Sequence, residues 1–282
     1  MTTTGMKLGP GALVSAAKSP KMKLKRAGDD GDKRQFNYLI FGESETGKTS
    51  TVAQLAAAGH KVFVIFTDLG NDNGISGAQV YANLKKTQEA FKNNVAWVAL
   101  SDTDEVGRFL EDPDKFVEGF KDFDPDFLVW DGFSFHQQMN IMPEVEEAIN
   151  KDDSSEGRME NYQGWGMTKN RTLRTTKEFL DLKSLSGKAL HKIVTTAVKY
   201  GSEKVGPDKS EVRAKHEPDI SGAASRFIRY GFDAVFETIR SGDKFEYAMN
   251  ISAATKRRFT LPEKMEADFV KLHNNVSSQI AQ

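Results

Sequence analysis

The residues best suited to chemistry lie in one short stretch, residues 42–49, which reads Gly-Glu-Ser-Glu-Thr-Gly-Lys-Thr. It fits the pattern G-x-x-x-x-G-K-[ST], a loop whose backbone amides surround phosphate oxygens. Gly42 and Gly47 allow backbone conformations that a side chain would hinder, so successive N–H groups can point at one anion. Lys48 supplies an ammonium for the β- and γ-phosphates, and the Thr49 hydroxyl is a ligand for Mg²⁺. The stretch predicts a nucleotide site that comprises Gly42, Glu43, Ser44, Glu45, Thr46, Gly47, Lys48, Thr49 and Ser50.

A strand and a helix must hold this loop. Residues 36–41 are apolar, aromatic and β-branched, which is typical of a buried strand. Residues 49–58 are rich in helix formers and are followed by Gly59, which favours a helix that ends there. Strand, loop and helix therefore come in the order that a phosphate site requires. The alternative is a chance match to the pattern in an ordinary loop, which would not be expected to have this strand and helix on either side.

Asp131 is the second candidate for chemistry. It follows the apolar run of residues 127–130, and four apolar residues before an acid form the Walker-B arrangement. A carboxylate there would hold Mg²⁺ beside the phosphate loop, so Thr49 and Asp131 are the expected metal ligands. The alternative is an aspartate that merely caps the end of a strand.

Composition limits the classes of protein that the chain can belong to. It has 282 residues, of which 38% are hydrophobic and 28% charged, as in soluble α/β proteins. Cysteine is absent, which excludes disulfides and cysteine-bound metal. The net charge of -1 predicts no bulk attraction to nucleic acid. The sequence contains no run of about 18 apolar residues, so no membrane span is predicted.

The remaining pattern predicts a mostly parallel sheet with helices on both faces. Further apolar strands are expected at residues 61–68, 95–100 and 190–198, with helical segments between them. Asp102 or Thr103 is expected to cap one helix, and another is expected to open at residues 112–113 and run through Phe120. Residues 234–240 and 244–251 alternate around a Ser-Gly-Asp turn, which predicts an antiparallel C-terminal hairpin.

Three polar segments leave two interpretations open. Residues 1–28 lack acidic side chains and are either a solvated tail or an arm that docks on a neighbouring subunit or a phosphate backbone. In residues 151–166, Tyr162 and Trp165 either serve for base stacking or pack on the next helix. Residues 200–220 show no periodicity, and a loop of this length is either functional or disordered.

This order of motifs resembles the RecA superfamily, and most of all the small phage-encoded RecA-like ATPases that act as single-strand annealing proteins in recombination. The resemblance rests on residues 42–49, on Asp131 after the fourth strand, on the long segment after the fifth strand and on the terminal hairpin. It implies a RecA-like P-loop ATPase core over residues 35–262. A flexible basic N-terminal arm would then cover residues 1–34 and a C-terminal tail residues 263–282.

The resemblance also implies partners and a location. The protein would bind ATP and Mg²⁺ at the interfaces of a homo-oligomer, either a ring or a filament. Segments 151–166 and 200–220 would face single-stranded DNA, and a single-strand-binding protein is a further candidate partner. No membrane partner is expected, and the location would be cytoplasmic, in the host cytoplasm for a phage-encoded chain.

Several catalytic roles follow from the resemblance alone. Lys256 and Arg258 match a basic pair that reaches the neighbouring subunit's nucleotide in that family, although the same basic cluster could be a solvated strand end. Gly70 stands where the family has its water-positioning glutamate, which leaves Asp68 or Asp72 as substitutes. The family's glutamine on the fifth strand is replaced by Thr195 or Thr196 as a γ-phosphate sensor. The candidate catalytic residues are Lys48, Asp68, Asp72, Asp131, Thr196, Lys256 and Arg258.

These departures support nucleotide binding more strongly than fast hydrolysis, so the sequence predicts a slow, DNA-dependent ATPase. Two other functions stay open. A small-molecule or nucleotide kinase uses the same loop but usually adds an arginine-rich lid, and here the arginines are scattered. A binding module could instead use ATP only to order subunits.

Overall fold

The computed structural model describes residues 34–67, 93–152, 162–205, 211–220, 224–249, 259 and 261–279. The strands in these ranges are β1 (Asn37–Gly42), β2 (Val62–Phe66), β3 (Val95–Ala99), β4 (Phe127–Asp131), β5 (His191–Thr196), β6 (Val198–Val205), β7 (Glu211–Pro218), β8 (Ala234–Ser241), β9 (Lys244–Met249) and β10 (Lys264–Glu266). The helices are α1 (Ser50–Ala57), α2 (Thr103–Glu111), α3 (Pro113–Phe116), α4 (Phe120–Phe123), α5 (Phe133–His136), α6 (Met142–Asp152), α7 (Tyr162–Asp181), α8 (Ala224–Ile228) and α9 (Phe269–Ser278). A π-helical turn, Gln137–Ile141, joins α5 to α6, and a 3₁₀ turn, Arg229–Gly231, follows α8.

The sheet has eight strands in the order β10-β9-β8-β1-β5-β4-β2-β3. From β8 to β3 each neighbouring pair is parallel, whereas β9 and β10 are antiparallel additions at one edge. The predicted fold class is therefore confirmed: an α/β protein with a mostly parallel sheet and a C-terminal antiparallel hairpin. β1, β5 and β4 are parallel neighbours, with β5 between the other two. The phosphate loop, which follows β1, and Asp131, which ends β4, therefore lie at the same end of these strands.

Helices cover both faces of the sheet. Successive side chains of a strand point to opposite faces, so Tyr38 and Ile40 pack with α1 and α9, whereas Leu39 and Phe41 pack on the other side. That second side buries an aromatic cluster that includes Phe63. Burial on both faces explains why the strands are continuously apolar rather than alternating. None of the described helices has the length and apolar composition needed to cross a membrane.

Local signals set several helix ends as the sequence predicts. The Asp102 carboxylate accepts a hydrogen bond from the Glu105 amide at 2.8 Å and caps α2. The Asp112 carboxylate caps α3 in the same way, with Pro113 at the first helical position. The predicted continuation through Phe120 is wrong, because the chain leaves the helix after Phe116 and Gly119 takes a φ of +80° before α4 begins.

The described parts of residues 200–220 are mostly strand rather than irregular loop, which corrects the sequence-based prediction; residues 206–210 lie outside the described ranges. β6 and β7 form a separate antiparallel hairpin whose register runs from Val198 opposite Pro218 to Val205 opposite Glu211. Much of the hairpin faces solvent, and its exposed side chains include Tyr200 at 56% and Val212 at 69%. Because most described side chains of β6 and β7 are exposed or half-buried, the ribbon needs no alternation of apolar residues, so its sequence carries no period to detect.

The C-terminal end of the chain differs from expectation, whereas the N-terminal arm lies almost wholly outside the described residues. Residues 263–282 were expected to form a tail, but β10 pairs with β9, and α9 places Phe269, Leu272 and Val276 in the core beside α1. Of the expected N-terminal arm, only Arg34 is among the described residues. In segment 151–166, residues from Tyr162 onward already belong to α7, and residues 153–161 lie outside the described ranges.

Candidate functional site

The phosphate loop connects β1 to α1 and has two backbone positions with positive φ, Glu45 at +62° and Gly47 at +93°. Only glycine adopts such values without strain, so Gly47 is required by the turn itself. Gly42 is required for a different reason, since a Cβ there would lie 2.3 Å from Thr238 Oγ1. The sequence predicts conformational freedom at both glycines, but Gly42 instead allows β8 to approach the loop closely.

β8 and β9 also support the loop from outside. Thr46 Oγ1 donates to the Glu43 carbonyl at 2.8 Å and lies 2.6 Å from Thr238 Oγ1. A Cβ on Gly47 would meet the Phe245 ring at 3.3 Å. The loop is therefore braced by its own residues and by the C-terminal hairpin, which keeps its amides in a fixed arrangement.

Lys48 lies inside the curve of the loop. Its Nζ donates to the Gly42 carbonyl at 2.9 Å and to the Glu43 carbonyl at 2.5 Å. These two contacts hold the ammonium against the loop that joins β1 to α1, where it can pair with an anion bound by that loop. Thr49 is the N-cap residue of α1 and makes no side-chain capping hydrogen bond, and the positive end of the helix dipole lies next to Lys48 in the chain.

Asp131 lies beside the loop, as a nucleotide site needs. Thr49 Oγ1 donates to Asp131 Oδ2 at 3.4 Å, although the two residues are 82 positions apart in the chain. Thr195 Oγ1 donates to Asp131 Oδ1 at 2.5 Å and accepts from the Gly132 amide at 3.2 Å. Both carboxylate oxygens are thus oriented by hydroxyl groups.

A hydroxyl and a carboxylate are the hard oxygen ligands that Mg²⁺ prefers. Thr49 and Asp131 therefore fit this ion. Within the described ranges no group of three or more acidic, histidine or cysteine side chains forms a metal cage. Mg²⁺ normally completes its octahedral shell with water and substrate phosphates, which suits a site with two protein ligands.

The two threonines at the end of β5 differ in their contacts. The Thr195 hydroxyl is committed to Asp131, whereas the Thr196 hydroxyl is buried and has no hydrogen-bond partner among the described residues. Both residues line the cavity described next. Of the two threonines predicted as a γ-phosphate contact, Thr196 has the hydroxyl that no described residue binds, so it is the better candidate to contact a ligand.

A cavity of about 600 Å³ opens between the phosphate loop and the ends of β4 and β5. This volume is in the range of small-ligand sites. One wall is the loop with Lys48, and the floor carries Asp131 with both β5 threonines. A further part of the lining, here called the α5 wall, comes from α5, the π turn and the ends of the β6–β7 hairpin, with Ser134, Gln138 and Asp219.

The α5 wall is a hydrogen-bonded network that sequence reasoning missed. Ser134 Oγ donates to the Asp219 carbonyl at 2.7 Å and accepts from the Ala197 amide at 3.1 Å. Gln138 Nε2 donates to Asp219 Oδ2 at 2.8 Å. No motif marks these residues, since they come together only when the hairpin folds onto α5.

Tyr200 closes the cavity from the side of the hairpin. Its hydroxyl donates to the Glu43 carboxylate of the phosphate loop, and this hydrogen bond raises the pKa of Tyr200 to about 12. Its cross-strand neighbour His216 lies edge-on at 4.9 Å and contacts Glu237 of β8, with Nδ1 2.8 Å from Oε1. The hairpin is therefore linked both to the loop and to the strand behind it.

Other predicted site residues are placed as follows. Ser44 lies in the cavity wall, Glu45 is exposed, and Ser50 begins α1 with its amide donating to the Gly47 carbonyl at 3.0 Å. Four of the predicted catalytic residues lie outside the described ranges, as does Gly70: Asp68, Asp72, Lys256 and Arg258.

Comparison with solved structures finds similar chains at low sequence identity. The crystal structure of the RadB recombinase is 14% identical with a TM-score of 0.41, and the match covers 78% of this chain and 82% of that one. The flagellar accessory protein FlaH from Methanocaldococcus jannaschii is 12% identical with a TM-score of 0.39, and the match covers 86% and 91%. No curated protein sequence matches this chain.

The family comparison covers almost all of the fold described above. A family model described as an AAA domain matches residues 34–267, from the start of β1 to the end of β10. That span includes the phosphate loop, Asp131 and both walls of the cavity. The chain therefore belongs to the AAA domain family.

Proposed function

We propose that this protein binds Mg²⁺–ATP in the cavity beside the phosphate loop and hydrolyses it slowly, in a manner that depends on single-stranded DNA. The observation that carries the proposal is the approach of Thr49 to Asp131, 3.4 Å between hydroxyl and carboxylate. The two predicted metal ligands are 82 positions apart in the sequence and come together beside Lys48 only through the fold. Membership of the AAA domain family supports nucleotide binding in the same place.

Binding would exchange contacts that the loop now makes with itself. Lys48 Nζ donates to two loop carbonyls, and the β- and γ-phosphate oxygens are stronger, charged acceptors for the same protons. Backbone amides of the loop and the N-terminus of α1 would hold the remaining oxygens. Bound Mg²⁺ would neutralise charge on the phosphates, held by Thr49 and by Asp131. Thr196 would offer its buried hydroxyl to the γ-phosphate.

The β6–β7 hairpin is the proposed contact for single-stranded DNA. It is a two-stranded ribbon with an exposed aromatic side chain, Tyr200, at the mouth of the cavity. Bases stack on exposed aromatic rings without regard to sequence, and lysines such as Lys199 and Lys204 on the same strand suit a phosphate backbone. Because the hydroxyl of Tyr200 contacts the phosphate loop, the DNA and nucleotide sites would share a residue.

A ring or filament is the proposed assembly, with the basic pair Lys256 and Arg258 acting on the neighbouring subunit's nucleotide. Such cations would offset the charge that grows on the γ-phosphate during transfer. Action in recombination or annealing, in a phage context, belongs to the same proposal and rests on the resemblance of the motif order.

Phosphate release by the purified protein, with and without single-stranded DNA, tests this function. We expect DNA to stimulate release by the wild type, and Lys48→Ala to abolish it. Lys121→Ala, an exposed lysine in α4, is the matched control and should behave as wild type. An unaffected Lys48→Ala variant would contradict the proposal.

Mixing variants tests the assembly. Arg258→Ala should be inactive alone but regain activity when mixed with Lys48→Ala, because some interfaces then combine an intact loop with an intact arginine. If both variants fold and mixing restores nothing, Arg258 does not act on a neighbouring subunit.

A further inference from the structure

The lining of the cavity beside the phosphate loop includes a carboxylate and an amide held together. Asp219 follows β7 directly, and Gln138 lies in the π turn between α5 and α6. Gln138 Nε2 donates to Asp219 Oδ2 at 2.8 Å. Both side chains line the same cavity as Lys48 and Asp131.

The main chain of Asp219 is fixed from two sides. Its amide donates to the Ala197 carbonyl at 2.8 Å, and its carbonyl accepts from Ser134 Oγ at 2.7 Å. Ser134 in turn accepts from the Ala197 amide, which ties the end of β5, the start of α5 and the end of β7 into one unit. A carboxylate mounted on this unit is held in a defined position, as a group that handles a reacting water must be.

The three carboxylates among the described residues that line the cavity differ in their hydrogen-bond partners. Asp131 is oriented by Thr49 and Thr195 for a metal ion, and Glu43 is bound by the Tyr200 hydroxyl at the mouth. Asp219 is held by an amide on one oxygen, whereas its Oδ1 accepts no hydrogen bond from the described residues. It is therefore the wall carboxylate best placed to accept a proton from a water molecule in the cavity.

The π turn explains how Gln138 reaches this position. One extra residue per turn rotates the helix, so Gln137 points inward and donates to Thr172 Oγ1 at 2.8 Å, whereas Gln138 is exposed and faces Asp219. Such turns inside helices are frequent at functional sites, because they redirect a side chain without ending the helix. A regular helix here would change the direction of Gln138.

We infer that Asp219 and Gln138 form the water-activating pair of the proposed ATPase, an inference that rests on the function proposed above. Gln138 orients a water molecule toward the γ-phosphorus, and Asp219 accepts one of its protons. The water oxygen forms a bond to the γ-phosphorus while the bond from that phosphorus to the β–γ bridging oxygen breaks. The electron pair of the broken bond stays on ADP, the product phosphate carries the new oxygen, and the proton passes from Asp219 to phosphate or solvent.

The test separates nucleotide binding from turnover. Asp219→Asn keeps the shape of the side chain and an oxygen for Gln138, and Gln138→Met keeps its length without the amide. Binding of a fluorescent ATP analogue with Mg²⁺ and steady-state phosphate release with single-stranded DNA are measured for both. Asp122→Asn, an exposed aspartate in α4, is the control for the loss of one charge. Thermal unfolding reports whether each variant folds.

We expect Asp219→Asn to lower kcat by about 100-fold or more, the range for loss of a positioned general base, with nucleotide affinity within about threefold of wild type. Gln138→Met should lower kcat by about 10-fold with KM unchanged, because it orients the water without binding the nucleotide. A kcat for Asp219→Asn within threefold of wild type overturns the inference, as does a parallel loss of binding. If Asp219→Asn fails to fold, an unchanged kcat for Gln138→Met overturns it.

The two levels of the account fail in different ways. A wild type that binds no nucleotide removes the proposed function and this inference with it. A wild type that binds Mg²⁺–ATP through Lys48 and releases no phosphate leaves the binding site standing and removes both the proposed hydrolysis and the water-activating pair, whereas phosphate release that Asp219→Asn leaves unchanged removes the pair alone.

Discussion

At the scale of single residues, the site depends on hydroxyl groups that hold one carboxylate. Asp131 has Thr49 on one oxygen and Thr195 on the other. In the proposed Mg²⁺ site, Thr195 acts through Asp131, and its effect should be on the metal ion rather than on the nucleotide directly. Removal of a residue that orients a metal ligand typically lowers metal affinity by about 10- to 100-fold.

Replacing Thr195 tests this positioning role. Thr195→Val keeps the shape of the side chain and removes the donor to Asp131, so the Mg²⁺ concentration needed for half-maximal nucleotide binding should rise about 10-fold. Thr195→Ser keeps the hydroxyl and should remain close to wild type. An unchanged Mg²⁺ requirement in a folded Thr195→Val variant would show that Asp131 needs no such partner.

At the scale of elements, the β6–β7 hairpin has the clearest separable role. Its Tyr200 offers a ring to solvent and a hydroxyl to the phosphate loop, and these two properties can be removed one at a time.

Tyr200→Ala should weaken binding of single-stranded DNA by about 1–3 kcal/mol, the usual contribution of one stacked base, as measured by fluorescence anisotropy. Tyr200→Phe keeps the ring and should bind DNA within about threefold of wild type. Equal affinities for all three proteins would mean that DNA does not stack on this residue.

The elements also show what the sequence can and cannot reveal. β1, β2 and β4 are predictable because burial on both faces demands continuous apolar runs, and the phosphate loop is predictable because its chemistry needs fixed residue types at fixed spacing. Most described side chains of β6 and β7 are exposed or half-buried, so these strands show no hydrophobic period. Gln138 and Asp219 carry no local signal, because only tertiary folding and the π turn bring them into one wall.

At the scale of the whole molecule, the end of the sheet away from the phosphate loop is built around buried histidines. His191 and His273 pack with ring centroids 4.6 Å apart, and Tyr38 Oη lies 2.7 Å from His273 Nδ1. Burial lowers the pKa of His191 to about 3 and that of His273 to about 4. Burial likewise lowers the pKa of His136, beside Trp130, to about 4.

These shifts predict loss of stability in acid. The unfolded chain takes up protons on these histidines near pH 6.5, whereas the folded chain resists until about pH 3–4. Stability is therefore full above about pH 6.5 and falls as the pH drops below it, by on the order of 3 kcal/mol per histidine at pH 4. Urea unfolding at pH 7.5, 6, 5 and 4.5 measures this slope. His273→Gln removes one of the three titrating rings and should make this slope smaller, and a wild-type slope in that variant would contradict the assignment.

The proposed function requires that Mg²⁺ and a triphosphate bind between the phosphate loop and Asp131. The most direct measurement is titration of a fluorescent ATP analogue, with and without Mg²⁺, into the wild type, Lys48→Ala, Asp131→Asn and the control Lys121→Ala. We predict Mg²⁺-dependent binding by the wild type and the control, and affinity at least about 10-fold weaker in the other two, since each loses a charged contact to the bound complex. Equal binding by all four proteins, or binding by none, would contradict the account.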